Sequence, residues 1–213
     1  MALQRSRNTG REVTIVAVSK LQPAAAIASA AAAGLQHFGE SYVQEGLAKI
    51  AAVANPALSW HFIGRIQSNK TRPIAENFSW VQTVDRPRIA ERLDAQRPEQ
   101  LGPINVLIQL NVDREPQKAG VVAGELLPLA ERVAKLPRLK LRGIMGMPAQ
   151  GAEPAQTRES FLAIAAAAED LEKRGFDIDT VSMGMSTDFE LAIECGANLV
   201  RIGTALFGPR PAA

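Results

Sequence analysis

The lysine at position 20 has the setting of a nucleophilic amine. Lys20 directly follows an apolar run rich in β-branched residues, VTIVAVS at residues 13–19. Partial removal from water disfavours the charged ammonium group and favours the neutral amine. A neutral lysine amine condenses with carbonyl compounds to an imine, so the position favours Schiff-base chemistry. A surface lysine at the end of a strand explains the position alone equally well.

A second group of residues, near the C-terminus, has the composition of a phosphate cradle. Glycines let backbone N–H groups approach an anion, and serine and threonine hydroxyls add donors. Gly203 and Thr204 follow one apolar run, and the segment SMGMS at residues 182–186 ends another. A short helix predicted from Thr187 directs its N-terminus, which favours negative charge, towards the same place. Because Gly-Thr pairs also occur in ordinary turns, Gly203 and Thr204 alone are weak evidence.

Arg201 lies inside the apolar run LVRIG and therefore needs a partner, because an unpaired buried charge is very costly. A carboxylate such as Glu40 or Asp188 would serve structurally. Functionally, the guanidinium would donate to a ring nitrogen of a bound cofactor. The two histidines are less informative: we interpret His61 as a hydrogen-bonded core residue in preference to one at the barrel mouth, and His37 as structural.

The elements that must position these residues alternate along the chain. Short β-rich runs separated by helical segments predict right-handed crossovers and a parallel sheet. Eight such units can close into a (β/α)8 TIM barrel, and we interpret residues 1–213 as a single domain of this α/β class. A doubly wound open sheet is the alternative, but no GxGxxG motif follows the first run. The predicted strands cover residues 13–19, 36–39, 60–63, 80–83, 104–110, 139–145, 180–183 and 199–202.

In a barrel of this kind, binding groups collect at the carboxyl ends of the strands. Lys20, Ser41, Ser186 and Gly203 all follow predicted strands and should therefore meet. One flank of the predicted barrel is incomplete: the tail ALFGPRPAA is too short and proline-rich for a closing helix, and the twelve residues before the first strand are interrupted by Gly10. Either a partner covers this flank, which would favour a dimer, or the chain is shorter than its relatives.

Composition argues against several classes of protein. A formal net charge of +2, with scattered charges, lacks the basic stripe with interleaved aromatics of nucleic-acid binding. Two histidines and one cysteine without ligand spacing do not support zinc or another metal site. Cys195, the only cysteine, is expected to be a buried structural thiol in a reducing compartment. With no signal peptide, and no run near the roughly 20 apolar residues of a membrane span, we expect a cytoplasmic protein without membrane contact.

Five ordered blocks resemble the pyridoxal phosphate homeostasis proteins over about residues 13–207. They are AVSKLQP (17–23), FGESYVQE (38–45), WHFIGRIQSNK (60–70), RGIMGMPA (142–149) and SMGMSTDFELAIECGANLVRIGTALFG (182–208). The resemblance implies pyridoxal 5′-phosphate (PLP) as cofactor. It also implies a barrel like the cofactor domain of alanine racemase, without that enzyme's second, β-rich domain. By position it makes Lys20 the imine-forming lysine and Arg201 the arginine facing the pyridine nitrogen. The phosphate contacts that it implies are Gly203 and Thr204, with Met183, Gly184 and Ser186 as less closely matched positions.

The chain departs from the family pattern at two places. The family usually has asparagine, near the ring hydroxyl of the cofactor, where this chain has Ser41. Ser41 is expected to donate one hydrogen bond there with a shorter reach. Family members also usually begin with a helix before the first strand, and here that helix is mostly missing.

The implied function is that of a carrier in intracellular PLP homeostasis, a monomer or homodimer that exchanges the cofactor with PLP-dependent apoenzymes. An arginine at the pyridine nitrogen cannot supply the protonated ring that makes PLP a strong electron sink. Racemases of this barrel type add a tyrosine from a second domain, whereas the only tyrosine here is Tyr42. A weak PLP-dependent racemase or decarboxylase that uses Lys20 is the alternative. A barrel that binds another phosphorylated ligand is the third hypothesis.

Overall fold

The computed structural model describes residues 12–208, and in this part of the chain eight parallel strands close into a barrel. The strands are β1 (Thr14–Val18), β2 (His37–Glu40), β3 (Ser59–Phe62), β4 (Trp80–Val84), β5 (Ile104–Leu110), β6 (Leu139–Gly146), β7 (Thr180–Ser182) and β8 (Leu199–Ile202). Each strand pairs with its neighbour in chain order, and β1 closes against β8 with Val16 opposite Arg201. The predicted (β/α)8 barrel is confirmed, and the open sheet is excluded.

Helices follow the strands and cover the outside of the barrel. They are α1 (Ala24–Ala32), α2 (Val43–Val53), α3 (Thr71–Asn77), α4 (Pro87–Gln96), α5 (Ala123–Val133), α6 (Pro154–Lys173), α7 (Phe189–Glu194) and α8 (Thr204–Phe207). Pro23 immediately precedes α1 and Pro87 begins α4, as the fixed backbone angle of proline favours. Gly34, just beyond the end of α1, adopts the left-handed conformation with φ +96°, which glycine tolerates at a helix end.

One predicted helix start is wrong: the helix predicted from Thr187 begins at Phe189. The preceding residues form a separate turn, because the Asp188 carboxylate accepts the N–H of Met185 at 2.6 Å.

The strands present two different faces, because successive side chains alternate across a pleated strand. The outer face is apolar: Phe38, Ile108 and Ile144 are fully buried or nearly so, and they belong to the same core as Phe161 and Ile164 of α6. The inner face instead carries several buried polar side chains. The barrel interior is therefore a polar chamber inside an apolar shell.

A tryptophan closes the interior at the amino ends of the strands. Trp80, the first residue of β4, clusters with Leu107 and Met145. The His61 ring stacks on Trp80 with ring centroids 5.1 Å apart, and the Arg142 guanidinium carbon lies 4.8 Å from the Trp80 centroid. This layer forms a floor, so the polar chamber opens towards the carboxyl ends of the strands.

The flank that was predicted to be incomplete is only partly within the described residues. After β8 the chain forms a single helical turn, α8, of four residues. The prediction that an N-terminal helix is mostly missing concerns segments before residue 12, which lie outside the described part. Between residues 12 and 208, no helix combines the length and apolarity needed to cross a membrane.

Candidate functional site

Lys20 lies two residues beyond β1, at the open end of the barrel, and is partly buried. The pairing of β1 with β2 continues past the strand, since the Ser19 N–H donates to the Gly39 carbonyl at 3.0 Å. Val16 and Lys20 are separated by an even number of residues, so alternation places them on the same, inner side. Lys20 therefore follows the carboxyl end of β1, the end at which the chamber opens.

A buried ion-pair cluster holds the backbone on both sides of Lys20. We call Ser19, Glu40, Glu45 and Lys49 the Lys49 cluster. The Lys49 ammonium donates to the Ser19 carbonyl at 2.6 Å, to Glu40 Oε1 at 2.8 Å and to Glu45 Oε1 at 2.6 Å. Glu45 Oε1 in turn accepts the N–H of Leu21 at 2.5 Å. Both neighbours of Lys20 are therefore tied to α2.

Two further features show how tightly this loop is held. Leu21 has a left-handed backbone, φ 64°, which is uncommon outside glycine, asparagine and aspartate. Glu40 is fully buried, and burial raises the pKa of its carboxyl, although Lys49 and Ser19 partly offset the shift. The loop conformation and the buried carboxylate persist because the surrounding contacts determine them.

Ser186 joins the two predicted halves of the phosphate cradle. Its hydroxyl oxygen accepts the N–H of Gly203 at 3.2 Å and the N–H of Ala205 at 3.3 Å. Gly184 has a φ of +92°, and a Cβ there would lie 2.6 Å from the Ala192 Cβ. Only glycine fits this turn, which brings Ser186 to the start of α8.

The other predicted cradle residues occupy different settings. Thr204 is exposed at the first position of α8, where its hydroxyl is accessible. The Met183 side chain is completely buried in the core between strands and helices. Its backbone N–H donates to the Leu199 carbonyl at 3.1 Å, so Met183 supports the turn and offers no spare donor to a phosphate. Ser41 is partly buried directly after β2, and its carbonyl is so close to Gly64 that a Cβ on Gly64 would lie 2.1 Å from that oxygen.

Arg201 is buried in the chamber and donates to neutral acceptors. Its Nη1 donates to the Ser182 hydroxyl at 2.6 Å and its Nη2 to the Gly146 carbonyl at 3.1 Å. The predicted carboxylate partner is wrong: Glu40 belongs to the Lys49 cluster, and the Asp188 carboxylate accepts a backbone N–H instead. Burial lowers the pKa of Arg201 to about 10, while the charge of Asp188 opposes that shift. Arg201 thus stays protonated at neutral pH.

His61 is a hydrogen-bonded interior residue. It is completely buried, and its two ring nitrogens lie 2.9 Å from Gln82 Nε2 and 3.0 Å from His37 Nδ1. Burial lowers the pKa of His61 well below its ordinary value, and the neighbouring His37 lowers it further. Burial also lowers the pKa of His37. Both imidazoles are therefore neutral at pH 7.

A cavity of about 1080 Å³ opens at the carboxyl ends of the strands. Its lining comes from residues at or after the ends of successive strands, among them Ile63, Thr83, Gln109, Met147 and Ser186. Arg65 and Lys118 line the cavity together with Asp188 and Glu190, so the wall carries charges of both signs. A cavity of this size accommodates a small ligand.

Sequence reasoning missed the residues that support the predicted site. Lys49 and Glu45 are four residues apart on α2, as an i,i+4 pair, but nothing in the spacing indicates that Lys49 is buried. Gln82 lies in β4 and Ser182 in β7, which are not neighbouring strands, and the two side chains meet only because the barrel closes. Cys195 is buried, as expected, and burial raises the pKa of its thiol.

Comparison with known proteins identifies first the domain family to which the chain belongs and then the individual proteins that it resembles. The family model described as "Alanine racemase, N-terminal domain" matches residues 2–211. The chain is 50% identical over 212 residues to the pyridoxal phosphate homeostasis protein of Escherichia coli K12, covering 98% of this chain and 91% of that protein. It is 52% identical over 209 residues to the protein of the same name from Pseudomonas aeruginosa PAO1, covering 98% and 90%. The chain therefore belongs to the family of pyridoxal phosphate homeostasis proteins, within the group that shares the alanine racemase N-terminal domain.

A solved structure supports the same placement. PipY from Synechococcus elongatus PCC7942, in its form with PLP bound, matches with a TM-score of 0.85 and 39% identity, covering 92% of each chain. The form without PLP matches with a TM-score of 0.87. The family resemblance carried by the five sequence blocks is confirmed.

Proposed function

We propose that this protein binds PLP through Lys20 and acts in intracellular PLP homeostasis as a carrier. The observation that carries the proposal is the placement of three groups at or near the carboxyl ends of β1, β7 and β8: Lys20, the Ser186 hydroxyl bonded to the backbone of Gly203 and Ala205, and the buried Arg201. Relatives named for PLP homeostasis and a PLP-bound structural neighbour support it. We further propose that residues 1–213 act as one domain.

The chain's own residues fit the parts of this cofactor. Ser186 accepts two backbone N–H bonds, which leaves its own proton to donate to a phosphate. Arg201 uses two of its N–H donors within the described part of the chain, and a guanidinium has five. When bound, PLP supplies an aldehyde that links reversibly to an amine and a ring that withdraws electrons. We assign Lys20 to the aldehyde, Arg201 to the pyridine nitrogen, Ser41 to the ring hydroxyl, and Ser186, Gly203, Thr204 and the backbone of Gly184 to the phosphate.

The setting of Arg201 favours a carrier over an amino-acid-converting enzyme. A guanidinium that stays protonated at neutral pH donates to the pyridine nitrogen and cannot give that nitrogen a full proton. An unprotonated ring withdraws electrons less strongly, so amino-acid carbanions are stabilised less. The only tyrosine, Tyr42, is 56% exposed. We therefore propose that catalysis is not the main activity.

The test of binding is a visible absorption spectrum of purified protein with added PLP, before and after borohydride. We expect a yellow band that borohydride removes, with the cofactor then found by mass spectrometry on the peptide that carries Lys20. Lys20→Ala should lack the band, whereas Lys135→Ala, a change at an exposed lysine, should keep it. A wild-type protein without the band at saturating PLP would overturn the proposal.

The alternative, a weak racemase or decarboxylase, is favoured by the match to a family model named for alanine racemase. Loaded protein incubated with L-alanine, with products separated by chiral chromatography, distinguishes the two functions. The carrier proposal predicts no turnover above the rate of free PLP, and ordinary enzymatic turnover would replace it. We propose PLP-dependent apoenzymes as recipients, which is tested by mixing loaded protein with such an apoenzyme and following its reactivation.

A further inference from the structure

A continuous chain of hydrogen bonds crosses the barrel interior from Arg201 to His37. Arg201 Nη1 lies 2.6 Å from Ser182 Oγ, which lies 2.7 Å from Gln82 Oε1. Gln82 Nε2 lies 2.9 Å from His61 Nδ1, and His61 Nε2 lies 3.0 Å from His37 Nδ1. We call these five residues the interior chain. They come from β8, β7, β4, β3 and β2, so the chain links strands that are not neighbours.

The interior chain is sealed from solvent along most of its length. Ser182, Gln82 and His61 are completely buried, and Arg201 is 4% exposed. Buried polar groups in a low-dielectric interior depend on each other for hydrogen bonds. No member can therefore change its donor and acceptor roles without affecting its neighbour.

Arg201 fixes the direction of every bond, because a guanidinium donates and never accepts. The Ser182 hydroxyl accepts from Arg201, so its single proton goes to Gln82 Oε1. That contact turns the Gln82 amide so that its NH₂ group faces His61 Nδ1, which must then carry no proton. A neutral His61 therefore holds its proton on Nε2 and donates it to His37 Nδ1, which is also without a proton.

We propose that Ser182, Gln82 and His61 are positioning residues, which hold the Arg201 guanidinium in one orientation towards the pyridine nitrogen of the cofactor. The orientation is maintained because rotating Arg201 away from Ser182 would leave the whole interior chain without a defined donor. The positioning role rests on the proposed PLP binding, whereas the direction of the hydrogen bonds in the interior chain does not. The positioning role can therefore fail while the hydrogen-bond direction stands.

The hydrogen-bond direction along the interior chain is tested without cofactor by nitrogen-15 NMR of the histidine side chains. In wild-type apoprotein we expect His61 and His37 to carry their protons on Nε2. Arg201→Met removes the obligate donor, and Ser182→Ala breaks the chain beside it, so both should give His61 a mixture of the two tautomers. Thr180→Val, a nearly isosteric change two residues earlier on β7, is the matched control and should leave the tautomers unchanged. A proton on His61 Nδ1 in the wild type would overturn the proposal.

The positioning role is tested by titrating the same proteins with PLP. Loss of a hydrogen bond to a charged group predicts a dissociation constant about tenfold higher for Ser182→Ala, with Thr180→Val unchanged. Equal affinities of Ser182→Ala and wild type would overturn the positioning role and leave PLP binding intact. A wild type that binds no PLP would instead overturn the proposed function and the positioning role together.

Discussion

Two buried arginines show how differently a charge can be held at the scale of single residues. Arg97 donates to the backbone carbonyls of Ala75, Phe78, Leu101 and Gly102. Arg201 makes only two bonds that the structure describes, one to a hydroxyl and one to a carbonyl. Arg97 therefore stabilises the loops around it, whereas Arg201 is a charge kept in the interior with few partners.

The first prediction compares the free energies of unfolding after each of these two arginines is replaced by methionine. Burying a charge costs several kcal/mol, and Arg201→Met removes that cost while leaving only the Ser182 hydroxyl and the Gly146 carbonyl without this donor. Urea unfolding of the apoprotein should therefore give Arg201→Met a free energy of unfolding equal to or above that of wild type. Arg97→Met leaves several carbonyls without donors and should lose about 2–3 kcal/mol. If Arg201→Met lost as much as Arg97→Met, Arg201 would be a structural residue.

The second prediction is a loss of stability at mildly acidic pH. The unfolded chain protonates His61 as the pH falls through its ordinary pKa of 6.5, whereas folded His61 stays neutral because burial lowers its pKa well below that value. The unfolded state then binds more protons, so the free energy of unfolding falls by about 1.4 kcal/mol per pH unit for this one group. Urea unfolding at several pH values below 6.5 measures the slope. His61→Gln should have a shallower slope than wild type, and identical slopes would contradict the argument.

At the scale of elements, α2 acts as the anchor of the loop that carries Lys20. Lys49 reaches from α2 to the Ser19 carbonyl, and Glu45 reaches to the Leu21 N–H. The residues on both sides of Lys20 are thus fixed by a helix that lies outside the barrel. The amine is presented from a rigid backbone, which is the arrangement that binding sites favour.

The third prediction tests this anchor. Lys49→Met leaves the buried Glu40 carboxylate uncompensated, and breaking a buried ion pair in this way costs about 3–5 kcal/mol. Urea unfolding should show that loss, and the affinity for PLP should fall because Leu21 and Ser19 are released. Lys173→Met, which removes an exposed i,i+4 pair with Glu169, should change stability by no more than about 0.5 kcal/mol. Similar values for the two variants would refute the anchor.

The fourth prediction concerns the contact between the loops after β2 and β3. A Cβ on Gly64 would lie 2.1 Å from the Ser41 carbonyl oxygen, which is backbone and cannot move aside alone. Gly64→Ala should therefore displace Ser41 and destabilise the fold, measured as a lower melting temperature. Gly124→Ala is the control: it lies in α5 with open space around it, and alanine in a helix is favoured over glycine by about 0.5–1 kcal/mol. The two changes are expected to have opposite signs.

For the whole molecule, the pattern of apolar runs was sufficient to predict the barrel and its strand positions. Ile104–Leu110 is a run buried on both faces, and its bounds match the prediction. Lys20, Ser186 and Gly203 were predicted because strand ends can be read from the sequence. The partners of Arg201 could not be predicted, since Ser182 on β7 and Gly146 on β6 reach it only through the pairing and twist of strands that are far apart in sequence. The Lys49 cluster escaped prediction for a related reason: burial of a helix lysine depends on what the helix packs against.

The fifth prediction links cofactor binding to the stability of the entire fold. A ligand that binds only the native state raises its stability by about 2.7 kcal/mol at a concentration one hundred times its dissociation constant. Thermal unfolding of wild-type protein should therefore shift upward as PLP is added. Lys20→Ala should shift much less, and an equal shift in both proteins would place the binding energy away from Lys20.

The floor of the barrel has an optical consequence. Of the two tryptophans, Trp80 stacks on His61 inside the barrel, while Trp60 packs near Phe38 in the outer core, with ring centroids 5.8 Å apart. A bound chromophore above the floor, absorbing where indole emits, would quench Trp80 more than Trp60. The fluorescence of Trp80 is thus a built-in reporter of occupancy, by which uptake and release can be followed in real time without a label.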